Sequence, residues 1–233
     1  MAAERREAAK TEAARIDPPY LAPGYRSTLL RAPARQPLRI PYGPSELSGP
    51  GASALLSGRA RANAADLTRQ HAGEPLGERI IVWGHVVDVA GRPLPNTLVE
   101  VWQANAAGRY AHPVDQHPAP LDPNFTGAGF CLTDAEGRFR FVTIKPGAYP
   151  WKNHPNAWRP AHIHFSVFGK TFGQRLITQM YFPGDPLLAL DPVFGSIPGT
   201  AARESLISRF DLGETVPEWA LGYRFDIILG GRP

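Results

Sequence analysis

The 233-residue chain has 43% hydrophobic and 20% charged residues, proportions that are typical of a folded globular protein. Its formal net charge is only +4 and its basic residues are scattered, which argues against nucleic-acid binding. No apolar run approaches the roughly 18 residues of a membrane span, and a lone cysteine, Cys131, excludes an intrachain disulfide. The first residues lack the apolar stretch of a secretory signal, so we expect a cytoplasmic protein.

Residues 1–78 differ in character from the rest of the chain. Residues 1–15 are rich in Ala, Glu and Arg, whereas residues 16–78 contain recurrent prolines and glycines and follow neither a helical nor a strand period. Such a segment cannot form a core of its own. Scattered apolar residues, Tyr25 among them, favour an ordered arm that lies over a subunit interface. We therefore predict an N-terminal arm at 1–78 and a β-sandwich domain at 79–233.

From residue 79 onward the pattern is that of short β-strands separated by turns. A hairpin is predicted where residues 130–134 and 138–144 flank a turn that contains glycine. The pattern of residues 201–210 predicts the one convincing helix of this region. The sequence thus predicts a mainly β protein, an antiparallel sandwich with few short helices. The predicted strands are 79–89, 97–103, 130–134, 138–144, 161–168, 176–182 and 223–229.

His162 and His164 occupy alternate positions of a predicted strand. Residues i and i+2 of a strand point to the same face, so both imidazoles project together while Ile163 points into the core. Two histidines on a strand surface are common, and the pair alone does not distinguish a metal site from an ordinary surface. The preceding residues, 158–160, are Trp-Arg-Pro, which is more typical of a pocket lip than of a solvent-facing strand.

Tyr110 and Tyr149 each follow a predicted strand, in the loops where functional sites are commonly built. Either tyrosine alone would more often be a half-buried aromatic residue. Together with His162 and His164 they make a hard, electron-rich ligand set, and a phenolate prefers Fe(III) to Fe(II). An Fe(II) site of two histidines and one carboxylate, using His112 and His117, remains an open alternative.

Five segments around these residues resemble the intradiol ring-cleaving dioxygenases. Within that family the resemblance is greatest to the iron-bearing β subunits of the two-subunit enzymes that act on protocatechuate, and it extends from about residue 25 to residue 229. The segments are long and specific, and a further match covers residues 179–186. They are 95–105, 108–110, 119–125, 143–151 and 158–165.

The resemblance implies a β-sandwich that holds non-haem Fe(III) through Tyr110, Tyr149, His162 and His164. It also implies an enzyme that cleaves protocatechuate (3,4-dihydroxybenzoate) with O2 to 3-carboxy-cis,cis-muconate. The expected partner is a homologous α subunit, with the pocket at the junction of the two chains. The resemblance also implies catalytic roles for Tyr149, Arg159 and Gln179. It implies substrate-binding roles for Tyr25, Trp151 and Val193.

Two other functions are weighed against this one. The same machinery in related enzymes acts on other catechols, such as hydroxyquinol or a chlorocatechol, but those relatives begin with a helical dimerisation segment that differs from the Pro-rich arm here. A non-catalytic, transthyretin-like binding module shares strands similar to residues 91–101. Such a module has no need of two tyrosines and a His-x-His pair, so the enzyme is favoured.

Overall fold

The computed structural model describes residue 35 and residues 64–152, 155, 157–169 and 174–230. Within these ranges the fold is mainly β, as the sequence predicts, with two helices of four and five residues, α1 (Pro192–Gly195) and α2 (Thr200–Glu204). No described helix is long and apolar enough to cross a membrane. The strands are β1 (Arg79–Val87), β2 (Leu98–Gln103), β3 (Ala128–Leu132), β4 (Arg138–Ile144), β5 (Tyr149–Trp151), β6 (Ala157–Arg159), β7 (His162–Phe168), β8 (Arg175–Tyr181), β9 (Arg209–Phe210), β10 (Leu221–Arg224) and β11 (Ile227–Ile228).

Two sheets pack face to face around one core. In the first, β1 pairs with β4 on one side and with β10 and then β11 on the other, and β9 follows β10. The second has the order β3-β2-β7-β8, and all of its pairs are antiparallel. The pairing of β1 with β10 and β11 is parallel, so the first sheet is mixed and not wholly antiparallel as the sequence analysis expects. A separate ribbon joins β5 to β6.

Alternation along β2 and β7 divides the second sheet into a core face and a site face. Val101, Ile163 and Phe165 are buried in the core cluster, where Phe165 meets aromatic residues of β4. The residues between them point to the opposite face, among them Trp102 and His164, which are cross-strand partners. The period of two residues thus places the histidine pair on the face away from the core, as predicted.

The predicted hairpin at 130–144 is wrong. β3 pairs with β2 in the second sheet, whereas β4 pairs with β1 in the first. Thr133 explains the separation, because its hydroxyl donates to Leu94 O at 2.6 Å and accepts from Thr97 N at 2.8 Å. These bonds hold the end of β3 beside the start of β2, and the turn at Asp134 then carries the chain across to the other sheet.

The predicted helix at 201–210 is too long, since α2 ends at Glu204. The chain then turns to pair with the end of β8: Leu206 O accepts from Tyr181 N at 2.8 Å and Ser208 N donates to Tyr181 O at 2.8 Å. Backbone bonds to a strand replace those that would have continued the helix. Residues beyond this point form β9.

The predicted strand at 223–229 is interrupted, and its two parts are β10 and β11. Phe225 O approaches Gly84 so closely that a Cβ at residue 84 would lie 1.9 Å from it. Asp226 then leaves the ladder and accepts a hydrogen bond from His85 N at 3.0 Å. A side chain thus takes the place of one ladder bond at the break.

Residues 64–78 lie against the sandwich. Leu67 is fully buried in the core cluster, and Asp66 forms an isolated bridge with Val142. Tyr25 and most of the predicted arm lie outside the described residues. The arm at 1–78 and the domain at 79–233 therefore stay a prediction.

Candidate metal centre

Four side chains from three separate parts of the sequence meet at the site face of the second sheet. Tyr110 Oη lies 3.2 Å from His164 Nε2, and Tyr149 Oη lies 3.5 Å from His162 Nε2. The two imidazole centroids are 4.9 Å apart and the two phenol centroids 5.7 Å apart. The two hydroxyl oxygens and the two Nε2 atoms thus converge on one small region.

The histidine rings are oriented by fixed neighbours. His162 is buried, and its Nδ1 donates to Pro160 O at 2.7 Å. The other ring nitrogen, Nε2, is therefore unprotonated in the neutral ring, and its lone pair is directed toward Tyr149. His164 stacks on Trp102, with ring centroids 4.8 Å apart and planes 3° from parallel. A backbone acceptor and an aromatic face therefore hold the two rings, as neighbours of metal-binding histidines commonly do.

Tyr110 lies in a loop, as predicted, and that loop is tied to the segment before Tyr149. Asp115 Oδ2 accepts from Tyr110 N at 2.8 Å. Gly108, at φ 79°, packs so closely on the next loop that a Cβ there would lie 2.2 Å from Ala148 O. Only a glycine accommodates both this backbone angle and this approach.

Tyr149 is not in a loop: it begins β5, opposite Arg159 on β6. Gly147, two residues earlier, donates its N–H to Asn105 O at 2.9 Å. A Cβ at Gly147 would lie 2.3 Å from Ala106 O, so this approach also depends on glycine. Two glycines thus bring the tyrosine-bearing segments together.

Burial dominates the electrostatics of the four side chains. Burial raises the pKa of Tyr110, and the neighbouring Tyr149 raises it further. Burial also raises the pKa of Tyr149, against the opposing effect of the Arg159 charge. The pKa of His164 is lowered to about 4 by burial and by Arg159, and the pKa of His162 is lowered for the same two reasons. At neutral pH both imidazoles are therefore uncharged and have lone pairs available for a cation.

Arg159 is almost completely buried at the edge of this group. Its Nε lies 3.1 Å from Asp191 Oδ1, and its Nη2 donates to Gln179 Oε1 and to Tyr181 Oη, the latter at 3.3 Å. Burial alone would lower the pKa of Arg159, but the negative charge of Asp191, together with the nearby tyrosines, outweighs it and raises that pKa. The guanidinium is thus a permanent positive charge held beside Tyr149.

The sequence analysis identified neither Tyr181 nor Asp191 as a site residue. Asp191 caps α1, accepting from Val193 N at 2.9 Å, and its carboxylate also pairs with Arg159. Tyr181 is the cross-strand partner of His162, as Gln179 is of His164. The alternation of Gln179 and Tyr181 along β8 is the signal that would have placed both on the site face.

The remaining predicted residues differ in how closely the structure places them to this group. The Trp151 ring centroid lies 5.8 Å from the Arg159 guanidinium carbon. Val193 is linked to this group through the hydrogen bond that its backbone N–H donates to Asp191. Tyr25 lies outside the described residues.

The alternative Fe(II) site has no support from the structure. His112 is exposed and its Nδ1 accepts from Val114 N at 3.2 Å. Across the described ranges, no group of three His, Cys, Asp or Glu side chains is arranged to hold a metal ion. A metal ion held by His162 and His164 would therefore depend on the two tyrosines for its remaining protein ligands.

Comparisons with known proteins point to one family. The family described as Dioxygenase matches residues 52–231, and the one described as Protocatechuate 3,4-dioxygenase beta subunit N terminal matches residues 15–42. The chain is 60% identical over 226 residues to the protocatechuate 3,4-dioxygenase beta chain of Burkholderia cepacia, covering 92% of this chain and 91% of that one.

More distant relatives match this chain over a smaller part of their length. The 6-chlorohydroxyquinol 1,2-dioxygenase of Cupriavidus pinatubonensis is 34% identical over 72% of this chain and 58% of its own. The crystal structure of 3-chlorocatechol 1,2-dioxygenase from Rhodococcus opacus 1CP superposes with a TM-score of 0.56 at 27% identity. That match covers 73% of this chain and 66% of the other.

Proposed function

Because the chain belongs to the intradiol ring-cleaving dioxygenases, we propose that it is the β subunit of a protocatechuate 3,4-dioxygenase. The reaction is the cleavage of protocatechuate between its two hydroxylated carbons, with both atoms of O2 entering 3-carboxy-cis,cis-muconate. The observation that carries this proposal is the meeting of Tyr110, Tyr149, His162 and His164, in which each tyrosine hydroxyl lies within hydrogen-bonding distance of one histidine.

The four side chains fit a ferric ion. Two phenols and two neutral imidazoles supply oxygen and nitrogen donors, and the Nδ1–H bond of His162 leaves its Nε2 as the donor atom. Burying two phenolates without a cation would be costly, as the raised pKa of both tyrosines indicates, and a bound trivalent cation offsets that cost. Iron held there would supply Lewis acidity toward a coordinated diol and a path for electrons between the diol and O2.

Tyr149 is suited to accept a proton. A catechol must lose two protons before both of its oxygens carry negative charge. Because burial raises the pKa of Tyr149 when no cation is bound, its phenolate would be a strong base once released from a metal, and Oη is the atom that would take one of these protons. This role goes beyond holding the metal, and it matches the catalytic role that the family resemblance implies.

Arg159 and Gln179 are suited to stabilise negative charge on the substrate. The Arg159 guanidinium lies on β6 directly across from Tyr149, so its positive charge faces the region in which the diol would lose protons. Gln179 Oε1 is already engaged by Arg159 and Tyr181, which leaves its amide N–H groups to donate elsewhere. Trp151 contributes an aromatic surface beside the guanidinium.

The partner is proposed to be an α subunit. The 60% identical relative is named as a beta chain, and a family named for the beta-subunit N terminus matches residues 15–42. These matches also favour protocatechuate over hydroxyquinol or chlorocatechol, whose enzymes are more distant in sequence. Tyr25 is proposed to help bind the substrate carboxylate, and Val193 to contribute to the pocket.

A visible absorption spectrum tests the ligand set and the substrate together. The protein, co-purified with its α chain, is measured before and after anaerobic addition of protocatechuate. A broad tyrosinate-to-Fe(III) charge-transfer band that shifts on addition is expected, followed by consumption of one O2 per protocatechuate when air is admitted. A colourless protein that binds iron only as Fe(II), or turns over catechol or hydroxyquinol in preference, would contradict the proposal.

A further inference from the structure

We propose that Asp191 is a positioning residue, whose single buried carboxylate holds the Arg159 guanidinium and anchors the helix that carries Val193. The inference rests on the proposed function, since it concerns how Arg159 is held for its role there. Asp191 would not touch the substrate, and it would act only through these two neighbours. It would thereby link the charge of the site to one wall of the pocket.

The carboxylate of Asp191 has three partners. Oδ1 accepts from Val193 N at 2.9 Å and so caps α1, while Oδ2 lies 3.2 Å from Tyr181 Oη, whose single hydrogen is shared with Gln179 Oε1 at 2.8 Å. Arg159 Nε lies between the two oxygens, 3.1 Å from Oδ1 and 3.2 Å from Oδ2. One side chain therefore fixes the start of a helix and one edge of a guanidinium at the same time.

Arg159 is held at two points. Asp191 engages Nε, while Gln179 and Tyr181 engage Nη2. Two points of attachment set the plane of a guanidinium, which a single contact would leave free to rotate. The remaining nitrogen, Nη1, makes no hydrogen bond to any residue that the structure describes.

Burial argues that this pair serves orientation more than stability. The side chains of Arg159 and Asp191 are 6% and 0% exposed. At such burial the loss of hydration offsets much of the attraction between the charges, and apolar replacements of similar volume are often as stable. What an apolar pair could not supply is a guanidinium with a fixed direction opposite Tyr149.

The first experiment is a kinetic double-mutant cycle on the co-purified αβ holoenzyme. Asp191→Asn keeps an oxygen that can cap Val193 N but removes the charge that holds Arg159. We expect it to lower kcat about 10- to 100-fold with KM changed by less than about threefold, because the loss concerns orientation and not binding. In an Arg159→Lys background the same change should cost less than about threefold, since the group it positions is already lost.

Asp185→Asn is the matched control. Asp185 caps the 3-10 turn that precedes α1, accepting from Leu187 N at 2.9 Å, and it also accepts from Ala161 N at 3.1 Å; its described bonds do not involve Arg159. Asp185→Asn should lower kcat less than Asp191→Asn does. Its effect on kcat should be the same in the wild-type and Arg159→Lys backgrounds. The charge-transfer band and iron content of Asp191→Asn should equal those of the wild type.

The second experiment does not depend on turnover. Asp191→Asn leaves a buried guanidinium unpaired, so Arg159→Met combined with Asp191→Asn should melt at or above the temperature of Asp191→Asn alone. Additive losses in melting temperature, equal losses of kcat in both Arg159 backgrounds, or loss of iron from Asp191→Asn would overturn the inference. A wild-type enzyme that does not cleave protocatechuate would instead refute the proposed function, and the melting cycle would then decide alone whether the two residues form one unit.

Discussion

Tyr149 and Arg159 are direct cross-strand partners in the β5–β6 ribbon, so a phenol and a guanidinium are set by one pair of backbone positions. The ribbon belongs to neither large sheet, yet it places a proposed ligand and a proposed charge-stabilising group side by side. A change in the ribbon would therefore move both groups together.

Replacement of Tyr149 by Phe removes Oη and keeps the ring. We expect kcat to fall by at least about 100-fold, because the phenolate is the proposed proton acceptor. At equal iron content, the charge-transfer band should also lose intensity and shift. Stopped-flow kinetics and visible spectra would measure both effects. Tyr223→Phe, in the core and away from the site, is the control, and an unchanged band in Tyr149→Phe would refute its role as a ligand.

Replacement of Gly108 by Ala should separate the two tyrosine-bearing segments. Gly91 provides a matched control: its φ of 76° is similar, but a Cβ added there would meet no atom within 4 Å, whereas one added at Gly108 would lie 2.2 Å from Ala148 O. We expect Gly91→Ala to cost about 1 kcal/mol from backbone strain and Gly108→Ala about 2–4 kcal/mol from strain plus overpacking. Urea unfolding and iron content would be compared, and equal losses of stability would contradict the prediction.

The metal-free protein should lose stability as the pH falls from about 6.5 toward about 4. The pKa of His164 is lowered in the folded state from 6.5 to about 4, so between these values the unfolded chain binds the proton and the folded chain does not. Stability is therefore present above the unfolded value and is lost toward the folded one. Urea midpoints of the metal-free chain between pH 7 and pH 4 would measure the slope.

His164→Gln should reduce that slope without abolishing it, because Gln does not titrate but His162, whose pKa burial also lowers, still does. If the slope were the same in His164→Gln and in the wild type, His164 would not be its source.

Trp102 should matter for iron retention without touching the metal. Its indole stacks on His164 at 4.8 Å, and its loss would allow the imidazole to rotate. We expect Trp102→Leu to weaken iron binding about tenfold, the usual scale for a residue that orients a ligand. The rate of iron removal by a chelator would measure this effect. Trp219→Leu, which removes an indole that packs on Arg79, should retain iron at the wild-type rate.

Local pattern was sufficient for much of the fold. Alternation predicted that His162 and His164 share a face and that Ile163 is buried, and the structure confirms both. The prediction of a hairpin at 130–144 was wrong because local pattern does not determine which sheet a strand joins. Thr133 connects β3 to β2 through hydrogen bonds to residues 36 and 39 positions away. The predicted helix at 201–210 extends too far for a related reason, since the bonds that replace its continuation come from Tyr181 in β8.

The sequence by itself determined the strand pattern, the residue types of the candidate metal centre and the family to which the chain belongs, because each is recorded in short runs of neighbouring residues. Only the tertiary structure decided that Tyr110 reaches His164 across 54 positions and that Asp191 reaches Arg159 across 32. Such pairings depend on sheet register and on close backbone approaches, as at Gly108 and Gly147, where the missing side chain matters only once another segment arrives.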